Sequence, residues 1–205
     1  MNQQRNIIVV GSGIAGLIAA LKLSRRSRVT LVTKSEVAES NTRWAQGGIA
    51  AAVFPDDSVA EHVADTIRAG AGLCNQEAVE ILCSEGLPRI KDLIRLGVPF
   101  DRRDGDLARG LEAAHSHARV LHAQGDATGL SIEMTLVHAL RNADVEVLEH
   151  TFACDLSLHH GRVRGFRVIA ESGEHRELEA DAVVLASGGG RTHVPAHNQS
   201  GRCDG

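Results

Sequence analysis

The first apolar stretch, residues 6–10 (NIIVV), is hydrophobic at four consecutive positions, as expected of a parallel strand covered on both faces. It runs into Gly11-Ser12-Gly13-Ile14-Ala15-Gly16, after which Leu17, Ile18, Leu21 and Leu23 recur at near-helical spacing. Residues 28–33 (RVTLVT) read as a second strand. Strand, glycine turn, helix and strand in this order open a parallel βαβ unit.

The middle of the chain reads as helical. Asp57 or Ser58 caps a helix carrying Val59, Val63 and Ile67. Asn75 caps a second, with Val79, Ile81 and Leu82, ending near Gly86; a third covers 88–96 and stops at Gly97. Residues 102–109 (RRDGDLAR) are polar and rich in Asp and Gly, a surface loop, and 128–142 reads as another helix with Ile132, Leu136, Val137 and Leu140 inward. From Val145 the period shortens. Residues 145–148, 153–158, 163–169 and 176–178 read as short strands, with turns at His160, Gly161 and at Ser172, Gly173. A last apolar run, 182–186 (AVVLA), empties into Ser187, Gly188, Gly189 and Gly190, and the segment RTHVPAHNQSGRCDG carries no convincing element.

Composition narrows the classes. With 205 residues the chain can bury a real core. A net charge of −4 and 2% aromatic residues, without Tyr, supply neither the basic face nor the stacking platform that nucleic-acid binding needs. No apolar run approaches the roughly 20 residues that span a bilayer, and glycines interrupt the one N-terminal run that resembles a signal peptide. Cys74, Cys83, Cys154 and Cys203 show no CxxC spacing, so reduced thiols and a cytoplasmic location are expected.

The glycine turn carries the first chemistry. Gly11 permits the tight turn, Gly13 lets a pyrophosphate reach the backbone, and Gly16 lets helix pack on strand. The helix start adds free N–H groups and a partial positive charge. An NAD fingerprint would place an acid at the end of the second strand; here the strand ends Val32-Thr33-Lys34. Lys34 is either a contact to ribose or phosphate or a solvated surface residue. The segment 41–53 (NTRWAQGGIAAAV) is poor in bulky side chains around two adjacent glycines, which suits backbone approached closely by a flat or phosphorylated group.

The glycine turn, the strand ending in Lys34, SNTRWAQGGIAA and HSHARVLHAQGDATG together resemble the flavoproteins of the succinate dehydrogenase and fumarate reductase family, and within it the aspartate-oxidising branch. The resemblance implies an α/β, Rossmann-like FAD-binding domain with a central parallel sheet, a helical insertion and a β-meander. It implies that residues 1–205 form the N-terminal portion of that domain, incomplete at the C-terminus, with the capping domain, the C-terminal helical domain and the main catalytic Arg absent. FAD would meet Gly11, Ser12, Gly13, Ile14, Ala15, Gly16 and Lys34, then Asn41, Thr42, Arg43, Trp44, Ala45, Gln46, Gly47 and Gly48, the last three chiefly through main chain. Ala153 and Cys154 stand where main chain meets the adenine. Asp204 matches a FAD-contacting Asp, although Cys203 replaces the usual preceding Gly. Asn41 occupies the position of the His that carries covalent flavin in membrane-bound members, so FAD here is expected to be non-covalent.

Within 108–129 (ARGLEAAHSHARVLHAQGDATG), His115, His117 and His122 match no standard zinc spacing, and no metal is expected. The resemblance gives Glu112 the role of orienting substrate; a solvated Glu is the alternative. Asp126, Thr128 and Gly129 are expected to cap the next helix. The implied activity is oxidation of L-aspartate to iminosuccinate, with O2 (giving H2O2) or fumarate as acceptor, in the route to NAD through quinolinate, with a functional link to quinolinate synthase. Little turnover is expected of these 205 residues in isolation. The alternatives are a soluble fumarate reductase or succinate-oxidising flavoprotein, and a non-catalytic nucleotide-binding remnant. A pyridine-nucleotide reductase fits less well, since only one GxGxxG is present and no redox-active CxxC follows.

Overall fold

The computed structural model of the chain describes residues 4–188. In chain order the elements are β1 (Asn6–Val10), α1 (Ile14–Leu23), β2 (Arg28–Val32), β3 (Ile49–Ala50), α2 (Val59–Ala69), α3 (Gln76–Leu96), β4 (Arg102–Arg103), β5 (Asp106–Leu107) and β6 (Val120–Leu121). There follow α4 (Thr128–Arg141), β7 (Val145–Leu148), β8 (Phe152–His159), β9 (Arg162–Ile169), β10 (His175–Glu179) and β11 (Ala182–Leu185). Expectations that fall on Gly189, Gly190, Cys203 and Asp204 lie outside the described residues. The chain divides into two compact units, one from the described parts of 1–44 and 133–205, the other from 45–132, with α4 crossing the division.

The first unit is built on a parallel sheet in the order β11-β1-β2-β7. Val9 pairs with Val184 on one side and Leu31 on the other, and Leu31 pairs with Val147. The two central strands are the most apolar because both their faces are covered; four of the five β1 residues are buried. Against this sheet lies the antiparallel meander β10-β9-β8, and their shared core joins Ile8, Val10 and Val32 to Phe166, Val168 and Ala180. Each such large aliphatic side chain, fully buried, contributes about 2 kcal/mol.

The second unit is helical, with two-stranded ladders β3-β6 and β4-β5. Ser58 caps α2 by accepting the Glu61 amide, Asn75 caps α3 by accepting the Ala78 amide, and Gly97 closes α3 at φ +102°. One expectation is corrected here. The helices expected on either side of Gly86 are one helix, α3, with Pro88 inside it. Val79, Cys83, Ile90 and Leu93 form one buried stripe through the proline, and Gly86 continues it, where an added Cβ would sit 3.2 Å from Ala51 Cβ. Packing of that stripe overrides the breaker. Ile81 and Leu82, named with Val79 in the expected second helix, are exposed. In α2 the buried side chains are His62 and Asp65, while Val59 is exposed and Val63 and Ile67 are half-buried. The polar segment 102–109 lies at the surface as expected, shaped as a hairpin whose turn residues Asp104 and Gly105 both have positive φ.

Candidate cofactor site

Gly11 starts the turn at φ +105°, and its amide donates to Val32 O at 2.9 Å, tying the turn to the end of β2. A Cβ on Gly11 would meet Ala186 O at 2.4 Å, and one on Gly16 would meet Gly11 O at 1.8 Å. These two glycines are therefore demanded by the protein's own packing. Gly13 is different. Its backbone (φ −68°, ψ 175°) suits any residue, and a Cβ would find only Thr42 Oγ1 at 3.6 Å and Ser40 Oγ at 4.0 Å. The space above the first turn of α1 is thus kept clear by a residue that neither conformation nor packing requires. No acidic residue lies in that turn, so the positive end of the helix is uncompensated. A diphosphate fits this cradle. Ser12, expected at the cofactor, turns its side chain inward to Thr33 Oγ1 at 3.0 Å and leaves main chain at the turn.

Lys34 is exposed just past the end of β2, and Glu36 and Glu39 follow it. The loop that carries Asn41 to Trp44 is fixed from below. Glu133 on α4, 0% exposed, accepts from Ser40 Oγ at 2.7 Å; Ser40 Oγ accepts the Thr42 amide at 3.1 Å; Thr42 Oγ1 accepts the Ile14 amide at 3.0 Å. Burial pushes the Glu133 carboxyl above the ordinary carboxylate value, opposed by the Ser40 hydrogen bond and the Arg43 main chain. Its Oε1 is sealed without a hydrogen-bond partner. Arg43 lies 5.9 Å from the Trp44 ring centroid, and the Trp44 ring is half exposed. In the meander, Ala153 pairs with Val168 and Asp155 with Arg167, so Cys154 is the extra residue of a bulge and its main chain is free of the ladder.

In the second unit Ala45 and Gln46 are exposed, Gly47 sits at φ +84°, and Gly48 leads into β3. A Cβ on Gly48 would meet Val120 Cγ1 at 2.4 Å and Leu121 O at 2.6 Å. The neighbouring strand β6, rather than a ligand, accounts for that glycine. Glu112 is half exposed and lies with its Oε1 3.2 Å from His122 Nε2. A cavity of about 320 Å³ is lined by Arg109, His122, Asp126 and their neighbours Asp101, Ala108, Gly110 and Gly125.

The same unit holds a charged cluster that sequence reasoning missed. Arg119 is 0% exposed and donates from Nε and NH2 to Asp57 at 2.8 and 2.7 Å and from NH1 to Asp65 at 2.8 Å. Burial alone would lower its pKa, but the two carboxylates outweigh it and hold the guanidinium charged. Asp65 also accepts from the Ser116 amide and hydroxyl, both at 2.7 Å; these bonds, with Arg119, hold its carboxyl far below the ordinary value. His62 is lowered by burial first, then by Arg119 and His115. Asp57, Glu61 and His117 bring donor atoms within 4.8 Å of one another. The donor set suits a cation poorly, because both Asp57 oxygens already serve Arg119. The signal for the buried polar groups lay in helical spacing: His62 and Asp65 share a face of α2, and Glu133 falls within the stripe of Ile132, Leu136 and Val137.

A parallel sheet with a glycine turn between its first strand and helix, and a meander on its face, defines a dinucleotide-binding α/β protein. The sequence profile of the FAD binding domain family matches residues 6–202. The chain belongs to that family, and its cofactor is FAD. It is 47% identical over 190 residues to L-aspartate oxidase of Nostoc sp., covering 91% of this chain and 32% of the relative. It is 43% identical over 191 residues to L-aspartate oxidase of Streptomyces coelicolor, covering 90% and 33%. The chain thus spans about one third of the length of the curated relatives it matches. Among solved structures it is similar to the quinol fumarate reductase FrdA of E. coli, with TM-score 0.83, 30% identity, and 91% and 33% of the two chains covered. It is equally similar in fold to the Mycobacterium smegmatis Sdh1 complex, with TM-score 0.83, 33% identity, and 91% and 34% covered. No helix among the described residues is long and apolar enough to cross a membrane.

Proposed function

We propose that this chain holds FAD non-covalently for the oxidation of L-aspartate to iminosuccinate. The observation that carries the reading is Gly13, a glycine kept where only an approaching group needs one. The names of the curated relatives direct it to aspartate. In this reading residues 1–205 act as one FAD-binding domain, and FAD supplies the hydride acceptor when bound.

The chain's own residues supply the holding. The turn from Gly11 to Gly16 meets the diphosphate through main chain, Lys34 meets ribose or phosphate, and the segments Asn41 to Trp44 and Ala45 to Gly48 run along the cofactor. Ala153 and Cys154 meet the adenine through main chain, helped by the bulge at Cys154. Asp204 adds a further contact. Glu112 receives the substrate ammonium, an opposite charge at hydrogen-bond range, and His122 fixes its carboxylate. O2 or fumarate takes the electrons, in the cytoplasm, and the iminosuccinate formed is consumed by quinolinate synthase on the route to NAD.

A second reading is kept because the fumarate reductase and Sdh1 folds are so similar: the same groove serving succinate or fumarate. Anaerobic addition of each acid to FAD-loaded protein that spans the full length of the curated relatives separates them. Bleaching of the flavin by L-aspartate alone supports the proposal, and bleaching by succinate alone overturns it in favour of the second reading. Full-length loaded protein bleached by neither is a nucleotide-binding protein without this oxidase activity.

A further inference from the structure

Glu133 stands in an apolar stripe, where Leu would complete the packing between Ile132, Leu136 and Val137. A carboxyl in that place is costly, since one oxygen is sealed without a partner and the group is met only by the Ser40 hydroxyl and the Arg43 main chain. Its side-chain hydrogen bond leads to Ser40 Oγ, then through the Thr42 amide to the residue whose hydroxyl accepts the Ile14 amide in the first turn of α1. Thr42 Oγ1 and Ser40 Oγ are also the two atoms nearest the open space at Gly13. Gly13, Ile14, Ser40, Thr42 and Glu133 belong to one compact unit.

We propose that Glu133 is a positioning residue for the diphosphate, holding the Ser40–Thr42 loop in the register that shapes the cradle at Gly13. The inference rests on the FAD reading above. Glu133 never touches the cofactor; it acts through Ser40. Burial raises the carboxyl above its ordinary value, opposed by the Ser40 hydrogen bond and by Arg43.

The test is titration of the 205-residue chain with FAD, followed by flavin fluorescence, alongside thermal melts. Glu133→Leu is expected to weaken FAD binding about tenfold or more, the scale of a lost hydrogen bond to a charged group, while leaving Tm unchanged or higher. Ser40→Ala is expected to weaken binding similarly, and the double variant no further than the worse single one. Glu133→Gln keeps an acceptor for Ser40 and is expected within about threefold of the parent. A purely structural role for Glu133 does not predict that a more stable variant binds worse or that Gln rescues it. Should Glu133→Leu fail to fold, Ser40→Ala decides alone. Parent-like affinity in Ser40→Ala or in a folded Glu133→Leu overturns the inference, as does full additivity in the double variant. A parent chain that takes up no FAD overturns the flavin reading and this inference with it.

Discussion

Arg119 and Asp57 face each other through two parallel hydrogen bonds, Nε to Oδ2 at 2.8 Å and NH2 to Oδ1 at 2.7 Å, with side chains 0% and 1% exposed. Neither has water to fall back on. Breaking such a pair leaves a buried, uncompensated charge, which costs about 3–5 kcal/mol. Arg119→Met is expected to lower stability by that amount in urea unfolding, since it strands Asp57 and Asp65 together. A loss below about 1 kcal/mol would show that the cluster is wetter than its burial indicates.

Asp65 gives a pH signature. Its folded pKa lies below the ordinary 3.8 because the Ser116 amide, then the Ser116 hydroxyl and Arg119, favour the ionised form. The unfolded chain therefore binds the proton more tightly, and the stability Asp65 contributes is complete above 3.8 and lost as pH falls toward the folded value. His62 shifts in the other sense for its charge: kept neutral by burial, it costs stability as pH falls below 6.5. Because Asp65 itself raises the His62 pKa, parent and Asp65→Asn are compared with His62→Asn present in both. The stability gap between those two, from urea midpoints at a series of pH values, should be level near neutrality and narrow below pH 4. A gap that widens on acidification sinks the assignment.

Much of the first unit was legible in the chain because its signals are local. NIIVV, the glycine turn and RVTLVT each specify conformation within a few residues, and the central strands are apolar for the reason that they are covered twice. The second unit was harder, because its interior is polar. Apolar spacing placed Val59, Val63 and Ile67 on α2, yet the buried residues of that helix are His62 and Asp65, and Asp65 accepts from the buried Arg119. Glycine carried ambiguity too. Gly13 and Gly48 look alike in sequence, yet one faces open space and the other the strand Val120–Leu121. Only long-range packing separates them.

Pro88 sits within α3, where it supplies no amide to the carbonyl four residues back. The helix persists because the stripe from Val79 to Leu93 is buried on both sides of it. Pro88 itself is exposed, so replacing it disturbs no packing. Pro88→Ala regains up to ~3 kcal/mol of helix propensity and gives back up to ~1 kcal/mol through a freer unfolded chain. The net expectation is a gain of about 2 kcal/mol with no change in FAD uptake. A destabilised variant would mean that the proline fixes a bend the packing needs.

Gly13 and Gly16 separate what the fold needs from what the cofactor needs. On Gly16 a methyl group would lie 1.8 Å from Gly11 O, a main-chain atom that cannot move without shifting the turn. Gly16→Ala is expected to cost about 3 kcal/mol, seen as a lower urea midpoint whether or not FAD is present. On Gly13 the nearest atom to the same methyl is Thr42 Oγ1 at 3.6 Å, ordinary contact, and the backbone is already suited to alanine. Gly13→Ala should therefore leave stability within about 1 kcal/mol of the parent, on the favourable side because the unfolded chain is stiffer. Its cost appears only on titration with FAD, where the methyl occupies the place the diphosphate must enter. Unaltered FAD affinity in Gly13→Ala, with affinity also intact in the bulkier Gly13→Leu, would remove the glycine turn from the cofactor site.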